Sequence, residues 1–248
     1  MKILKGLLSR SPLSRRRPFS SLTGKENAMS HLPIKAVIFD KDGTLHDTEK
    51  VFLKAWKLAA EDLDVPDIER TVRDCTGVNL PDTAVYWAKK YPAIPFAVYL
   101  DRRQHHFDEI VRDGVPVKEG AMELLTYLTE RGYGVGLATS TPYAITMEHL
   151  RRTDMIRFFS PDAIVTGDMV KRGKPHPESF LTAAARLGVA PAHCVGVEDS
   201  NNGIRAVYGA GMRAVFVPDL TPPAEDAQSM IWRTCDKLTD LIPLLEAE

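Results

Sequence analysis

The sequence contains few cysteines, and they lie far apart. Cys75, Cys194 and Cys235 are the three cysteines among 248 residues. Because their number is odd and no CxxC pair occurs, the sequence indicates neither a zinc site nor a disulfide framework. A reducing compartment fits this cysteine usage.

Long apolar runs and basic surfaces are also missing. No apolar run approaches the roughly 20 residues that span a bilayer. Residues 1–24 carry six Lys or Arg and no acid, which leaves 26 basic against 33 acidic residues, a net charge of −7, for the remainder. An acidic body without a basic stripe argues against nucleic-acid binding. We expect no membrane or nucleic-acid partner, and a monomer or a weak dimer.

Residues 1–30 have the composition of an organellar targeting segment. Their apolar residues fall on one helical face, and the stretch that follows is rich in Arg and Ser. This favours a mitochondrial transit peptide. The alternative is an extension of a cytoplasmic protein whose translation starts at Met29. In both cases we expect the segment to be disordered and to lie outside the fold.

A hydrophobic segment rich in β-branched residues begins at Ile34 and ends abruptly at Asp40, Asp42 and Gly43. It predicts a buried parallel strand whose two aspartates point to the same side at the carboxyl end, where such sheets bind ligands. Paired carboxylates favour a hard divalent cation, Mg²⁺ above all. A surface turn is the alternative. An EF-hand does not fit, because its glycine is the sixth loop residue and its loop follows a helix.

Two patterns follow this strand. Residues 47–115 have helical periodicity, with predicted helices at 48–64, 68–75, 82–90 and 96–112, and such an insert would lie over the strand ends as a lid. From residue 116 strands and helices alternate, which is typical of a parallel α/β sheet. Strands are predicted at 134–139, 163–166, 194–197 and 213–217, and helices at 119–131, 143–153, 178–187, from about 201 to 210, and 237–246.

Polar residues follow several of the predicted strands, and four segments in order carry a family resemblance. FDKDGTLHDTE, the strand end Thr139-Ser140, the loop GKPHPESF with Lys174, and EDSNNG with Glu198 and Asp199 resemble the four motifs of the haloacid dehalogenase superfamily. The resemblance runs from Ile34 to Val217. It implies an α/β fold, a Rossmann-like doubly wound parallel sheet (residues 31–46 and 116–248) with an inserted all-helical cap domain (residues 47–115).

The resemblance also implies a role for each motif residue. Asp40 would be the nucleophile that forms an aspartyl-phosphate, and Asp42 would be the general acid and base. Mg²⁺ would bind Asp40, the backbone carbonyl of Asp42, and Asp199, with Glu198 nearby or bound through water. The substrate phosphate would be held by Thr139, the Ser140 N–H and Lys174.

Within the superfamily, the cap and the segment GDMVKRGKPHPESF resemble the β-phosphoglucomutase-like and pseudouridine-phosphatase-like group. Leu80 stands where mutases place an arginine, and Phe52 where they have a histidine. Together with Asn79, these residues are expected to face the substrate. We therefore predict a Mg²⁺-dependent phosphatase for a small sugar phosphate or nucleoside monophosphate. The alternatives are a phosphomutase of the β-phosphoglucomutase type, a haloacid dehalogenase, which Asp42 argues against, and a non-catalytic binding protein.

Overall fold

A parallel β-sheet forms the centre of the structure, a computed structural model that describes residues 32–75, 80–112, 114–219 and 222–247. The predicted leader, residues 1–30, lies outside this part of the chain. Residues Leu32–Glu248 form one compact unit. The strands of the described chain are β1 (Ala36–Phe39), β2 (Gly134–Ala138), β3 (Ile164–Val165), β4 (Cys194–Glu198), β5 (Arg213–Phe216) and β6 (Ile231–Thr234).

The order of the strands in the sheet is β3-β2-β1-β4-β5-β6, and all neighbours are parallel. The chain moves outward from β1 through β2 to β3, then returns to the other side of β1 with β4. The strand order therefore reverses between β1 and β4, which leaves a crevice at their carboxyl ends. The parallel α/β sheet predicted from the sequence is confirmed.

Helices cover both faces of the sheet. The described helices are α1 (Thr48–Asp62), α2 (Ile68–Cys75), α3 (Leu80–Lys90), α4 (Phe96–Ile110), α5 (Ala121–Glu130), α6 (Tyr143–Arg152), α7 (Glu178–Arg186), α8 (Asn201–Gly209), α9 (Glu225–Gln228) and α10 (Leu241–Glu246). Val37 and Phe39 pack with α5, α6 and α10, whereas Ala36 and Ile38 pack with α7, α8 and α9. Burial of alternate residues on opposite faces makes β1 the centre of a doubly wound core.

Residues 47–115, which follow β1, contribute helices α1 to α4 and no strand among their described residues. A buried aromatic cluster around Trp87 and Tyr99 holds these helices together. The segment leaves and rejoins the core through two adjacent chain crossings, where the Asp47 N–H donates to the Pro116 carbonyl at 2.8 Å. The division into separate core and cap domains stays a prediction. No helix of the described chain is both long and apolar enough to cross a membrane.

The structure differs from the sequence prediction mainly in short elements near the carboxyl terminus. Strand β6 and helix α9 were not predicted, and the predicted 237–246 helix is a 3₁₀ turn at Leu238–Asp240 followed by α10. The predicted 163–166 strand is reduced to β3, because Pro161–Ala163 forms another 3₁₀ turn. Strand β6 is short and half-exposed, so its pairing with β5, rather than its own pattern, makes it a strand.

A fully buried histidine lies where the helical segment leaves the core. His46 pairs with Val117 through a backbone bridge, and its ring Nε2 is 3.1 Å from the Thr153 hydroxyl. Burial, together with the nearby Lys41 ammonium, lowers the pKa of His46 from its ordinary 6.5 to about 3. The imidazole is therefore neutral in the folded protein at every pH at which enzymes are commonly studied.

We predict that His46 makes the fold sensitive to moderate acid. As the pH falls below 6.5, the unfolded chain binds a proton at His46 that the folded chain does not bind, so stability is lost. Between about pH 7.5 and about pH 5 this histidine should cost about 2 kcal/mol of unfolding free energy. In His46→Gln, the loss over this interval, measured by urea denaturation, should be smaller by that amount. Equal losses in both proteins would contradict the prediction.

Candidate active site

The two aspartates of the first motif lie at the carboxyl end of β1, next to the crevice. The Asp40 N–H donates to the Val197 carbonyl of the neighbouring strand β4 at 2.9 Å, which extends the sheet to this residue. Gly43, with φ of +81°, turns the chain immediately afterwards. A Cβ atom at Gly43 would lie 2.2 Å from Oδ2 of Asp199. The glycine therefore allows the two motifs to approach each other closely.

The carboxylate of Asp42 accepts hydrogen bonds on both oxygens. Oδ1 accepts from Lys41 Nζ at 2.5 Å and from the Thr48 hydroxyl at 3.1 Å. Oδ2 accepts from the Thr141 hydroxyl at 2.5 Å, with the Thr139 hydroxyl at 3.5 Å. Burial alone would raise the pKa of Asp42, but the Lys41 charge and these hydrogen bonds outweigh it and hold the pKa below its usual value. Asp42 is therefore ionised in this arrangement.

Lys174 bridges two of the acidic motif residues. Its Nζ donates to an oxygen of Asp40 and, at 2.5 Å, to Oε1 of Glu198. Burial opposes the charge of this ammonium, but the two carboxylates outweigh burial and raise the pKa of Lys174. The lysine predicted from the GKP loop is thus a buried, permanently charged group in contact with Asp40.

Glu198 and Asp199 lie at the end of β4, before α8. Ser200 caps this helix, because its hydroxyl accepts from the Gly203 N–H at 3.0 Å and donates to Oε2 of Glu198 at 2.9 Å. A Cβ atom at Gly203 would lie 1.7 Å from the Glu198 carboxyl carbon. Asp199 accepts from the Thr44 hydroxyl at 3.0 Å. Gly43 and Gly203 thus leave room for the carboxylates of Asp199 and Glu198.

Three carboxylates in this region could bind one cation. Asp40, Glu198 and Asp199 each place an oxygen so that all three atoms lie within 4.8 Å of one another, and all three residues are buried. Burial and the neighbouring carboxylates raise the pKa of Asp40 to about 7, although Lys174 opposes this rise. With Asp42 and the buried ammonium groups of Lys41 and Lys174, the cluster carries a formal charge of −2 when every acid is ionised. A hard divalent cation with oxygen ligands fits this donor set.

The other predicted site residues have different surroundings. Thr139 is buried, and its hydroxyl accepts from the Thr141 N–H at 3.1 Å, whereas Ser140 is exposed. Phe52 is half-buried in α1 and stacks on Phe107 of α4, with ring centroids 4.4 Å apart. Asn79 lies outside the described residues. Leu80 begins α3, but its side chain is also outside what the structure describes.

Several contacts of this site were not predicted from the sequence. Lys41, Thr48 and Thr141 were not proposed as site residues, yet all three donate to Asp42. Lys41 also lies 3.2 Å from Nδ1 of His149, a residue of α6. The one sequence feature that could have indicated Lys41 as a site residue is its position directly between the two motif aspartates. Alternation along a strand predicts that Lys41 points away from them, but β1 ends at Phe39, so the alternation does not extend to Lys41.

Comparisons with known proteins agree with the resemblance. Residues 34–211 match the haloacid dehalogenase-like hydrolase family. A phosphorylated carbohydrates phosphatase of Thermotoga maritima is 33% identical over 188 residues, covering 74% of this chain and 84% of that protein. The β-phosphoglucomutase of Bacillus subtilis is 32% identical over 217 residues, covering 84% and 94%.

A solved structure extends the similarity to the fold. The HAD family hydrolase of Deinococcus radiodurans R1, with bound phosphate and sodium, is 27% identical to this chain and has a TM-score of 0.73. The alignment covers 87% of this chain and 96% of that one. Because the family match spans more than half of the sequence and two relatives exceed 30% identity over most of it, the chain is an enzyme of the haloacid dehalogenase-like hydrolase family.

Proposed function

We propose that this enzyme is a Mg²⁺-dependent phosphatase that hydrolyses a small phosphorylated sugar through an aspartyl-phosphate on Asp40. The observation that carries the proposal is the arrangement of two aspartates with different surroundings. Asp40 belongs to the three-carboxylate cluster and contacts Lys174, whereas Asp42 is held by four other donors. Separate environments allow the two carboxylates to have separate roles, one as nucleophile and one as acid and base.

Asp40 and Asp199 are the side chains we assign to the metal, together with the backbone carbonyl of Asp42. Glu198 already accepts from Lys174 on one oxygen and from Ser200 on the other, so we assign it a water-mediated contact. Bound Mg²⁺ would neutralise the excess negative charge of the cluster and of the phosphoryl group in the transition state. Its charge would also lower the pKa of Asp40, which favours the ionised nucleophile.

The reaction then follows from the two aspartates. An oxygen of Asp40 attacks phosphorus, and the bond from phosphorus to the sugar oxygen breaks. Asp42, which is ionised in the resting site, first takes up the proton of the substrate's phosphate monoanion and then gives it to that oxygen. In the second step a water molecule attacks the phosphorus of the aspartyl-phosphate and passes a proton to Asp42. The bond between phosphorus and the Asp40 oxygen breaks, which restores Asp40 and releases inorganic phosphate. Lys174, Thr139 and the Ser140 N–H are assigned to the phosphate oxygens, where negative charge accumulates.

The helical segment, residues 47–115, is proposed to act as the cap of this site. Its first helix begins at Thr48, whose hydroxyl donates to Asp42 at 3.1 Å, so the segment contacts the proposed acid directly. A cap in this place would exclude water while the phosphoryl group is transferred to Asp40. Phe52, one helical turn further along α1, would then lie on the substrate side of the segment.

The choice between phosphatase and mutase rests on the cap. The relatives include a phosphorylated carbohydrates phosphatase and a β-phosphoglucomutase at similar identity, so overall similarity does not separate the two activities. Leu80 offers no charged donor to a second phosphate, where an arginine would form two hydrogen bonds. Phe52 stacks on Phe107 and has no group that exchanges protons. Both features support hydrolysis. The names of these relatives favour a sugar phosphate over a nucleoside monophosphate.

The nucleophile is tested by Asp40→Asn. With Mg²⁺ present, hydrolysis of 4-nitrophenyl phosphate should fall by more than about a thousandfold while the protein stays folded, because the amide is a poor nucleophile. Asp162→Asn, an exposed aspartate, is the matched control and should retain wild-type activity. Circular dichroism checks the fold of both variants. If Asp40→Asn keeps more than about one per cent of the activity, Asp40 is not the nucleophile.

Hydrolysis and isomerisation are separated by supplying β-glucose 1-phosphate with Mg²⁺ and no bisphosphate activator. We expect inorganic phosphate to appear and no glucose 6-phosphate, because Leu80 offers no charged donor to a second phosphate. Both products are followed in the same reaction, with the B. subtilis β-phosphoglucomutase as a positive control. Formation of glucose 6-phosphate faster than inorganic phosphate would identify the enzyme as a mutase.

A further inference from the structure

A fully buried lysine lies behind the proposed acid and base. The side chain of Lys41 is 0% exposed, and its Nζ is 2.5 Å from Oδ1 of Asp42. Lysine is rarely buried to this extent without a partner, because its ammonium must lose its water. Lys41 is distinct from Lys174, which contacts Asp40 and Glu198 instead. The described site therefore contains two buried ammonium groups, one for each motif aspartate.

His149 is the second partner of this ammonium and fixes its direction. Its Nδ1 lies 3.2 Å from Lys41 Nζ, across 108 positions of sequence. An ammonium only donates, so Nδ1 must accept, and the ring proton is then on Nε2. Burial and the Lys41 charge lower the pKa of His149, which keeps the ring neutral and able to accept.

Further hydrogen bonds hold His149 in place. The Thr153 hydroxyl donates to the His149 carbonyl at 2.8 Å, so the same hydroxyl accepts from Nε2 of His46 at 3.1 Å. The rings of His46 and His149 pack edge to face, with centroids 5.9 Å apart. The Lys41 ammonium thus lies between Asp42 and His149. Helix α6 and the buried His46 hold His149 in place.

We propose that Lys41, held by His149, is a positioning residue that fixes the carboxylate of Asp42 for proton transfer to and from the reacting oxygens. The inference rests on the proposed function, in which Asp42 is the acid and base. With Thr48 and Thr141, Lys41 restrains Asp42 on both oxygens, and without it one oxygen keeps a single hydroxyl donor. Lys41 itself does not touch the substrate, and acts only through the orientation of Asp42.

The alternative is that Lys41 only compensates the charge of Asp42 and stabilises the fold. Removing one partner of a buried ion pair leaves the other charge uncompensated, so the loss of Lys41 would then weaken every reaction at the site alike. A positioning role has a different consequence. Phosphoryl transfer from a sugar phosphate needs a proton for the leaving oxygen, whereas 4-nitrophenolate leaves without one. Loss of Lys41 should therefore affect the two kinds of substrate unequally.

The test is Lys41→Met, because methionine keeps much of the apolar stem without the charge. The sugar phosphate is the best substrate of the wild type among glucose 1-phosphate, glucose 6-phosphate and sorbitol 6-phosphate. For Lys41→Met we expect kcat/KM for this sugar phosphate to fall by roughly 10- to 100-fold. This is part of the rate enhancement that general acid–base catalysis usually contributes. The value of kcat/KM for 4-nitrophenyl phosphate, which reports the first step, should fall by less than about threefold. Lys50→Met, an exposed lysine, is the matched control and should behave as the wild type.

Two variants of His149 test whether this histidine holds Lys41 in place, and neither of them removes a charge. Asparagine can place its oxygen close to the position of Nδ1, whereas leucine has no acceptor. His149→Leu should lower kcat/KM for the sugar phosphate in the same selective way as Lys41→Met, and His149→Asn should restore most of the loss. These variants decide the question even if Lys41→Met does not fold.

The outcomes separate this inference from the proposed function. If the wild type hydrolyses none of the three sugar phosphates, or Asp42→Asn hydrolyses its substrate at the wild-type rate, the proposed function is wrong. If Asp42→Asn is impaired but Lys41→Met is as active as the wild type, Lys41 is not a positioning residue. Equal losses on the sugar phosphate and on 4-nitrophenyl phosphate would also overturn the inference, because they indicate general damage to the site.

Discussion

Mutual repulsion among four carboxylates, three of them buried, is the constraint on which the site depends. Asp40, Asp42, Glu198 and Asp199 meet where β1 and β4 end, and the burial of Asp40, Glu198 and Asp199 makes each of their uncompensated charges costly. Two buried lysines offset part of this charge, and the remaining formal charge of −2 matches one divalent cation. The sheet can hold these acids because its backbone is fixed on both faces by packed helices. The acid cluster therefore depends on the core, and the proposed cation would offset its remaining charge.

The pKa values of Asp40 and Asp42 shift in opposite directions because their neighbours differ. Lys174 contacts Asp40 and Glu198, whereas Lys41, Thr48 and Thr141 surround Asp42. As a result the pKa of Asp40 is raised to about 7 without a metal, while that of Asp42 is lowered. A bound cation would act mainly on Asp40, since it belongs to the three-carboxylate cluster. The separate roles proposed for these two aspartates thus rest on their different surroundings.

The helical segment, residues 47–115, also contacts this site. Thr48, the first residue of its first helix, is a donor to Asp42, so the proposed acid is bound at once by the core, through Thr141, and by the inserted segment. The two crossings of the chain are paired next to His46, whose buried ring contacts Thr153 at the end of α6. That helix also carries His149, the partner of Lys41. The predicted acid sensitivity of the fold and the proposed support of Asp42 therefore involve neighbouring residues.

The sequence by itself determined the parallel α/β sheet, the positions of its main strands and the family. It did so because buried strands leave long apolar patterns, and because motif residues follow those strands directly. Only the tertiary structure decided which polar groups meet. The contact of Lys41 with His149 joins residues 108 positions apart, and the strand character of β6 depends on its pairing with β5. Such contacts arise from packing of distant segments, so no local pattern encodes them.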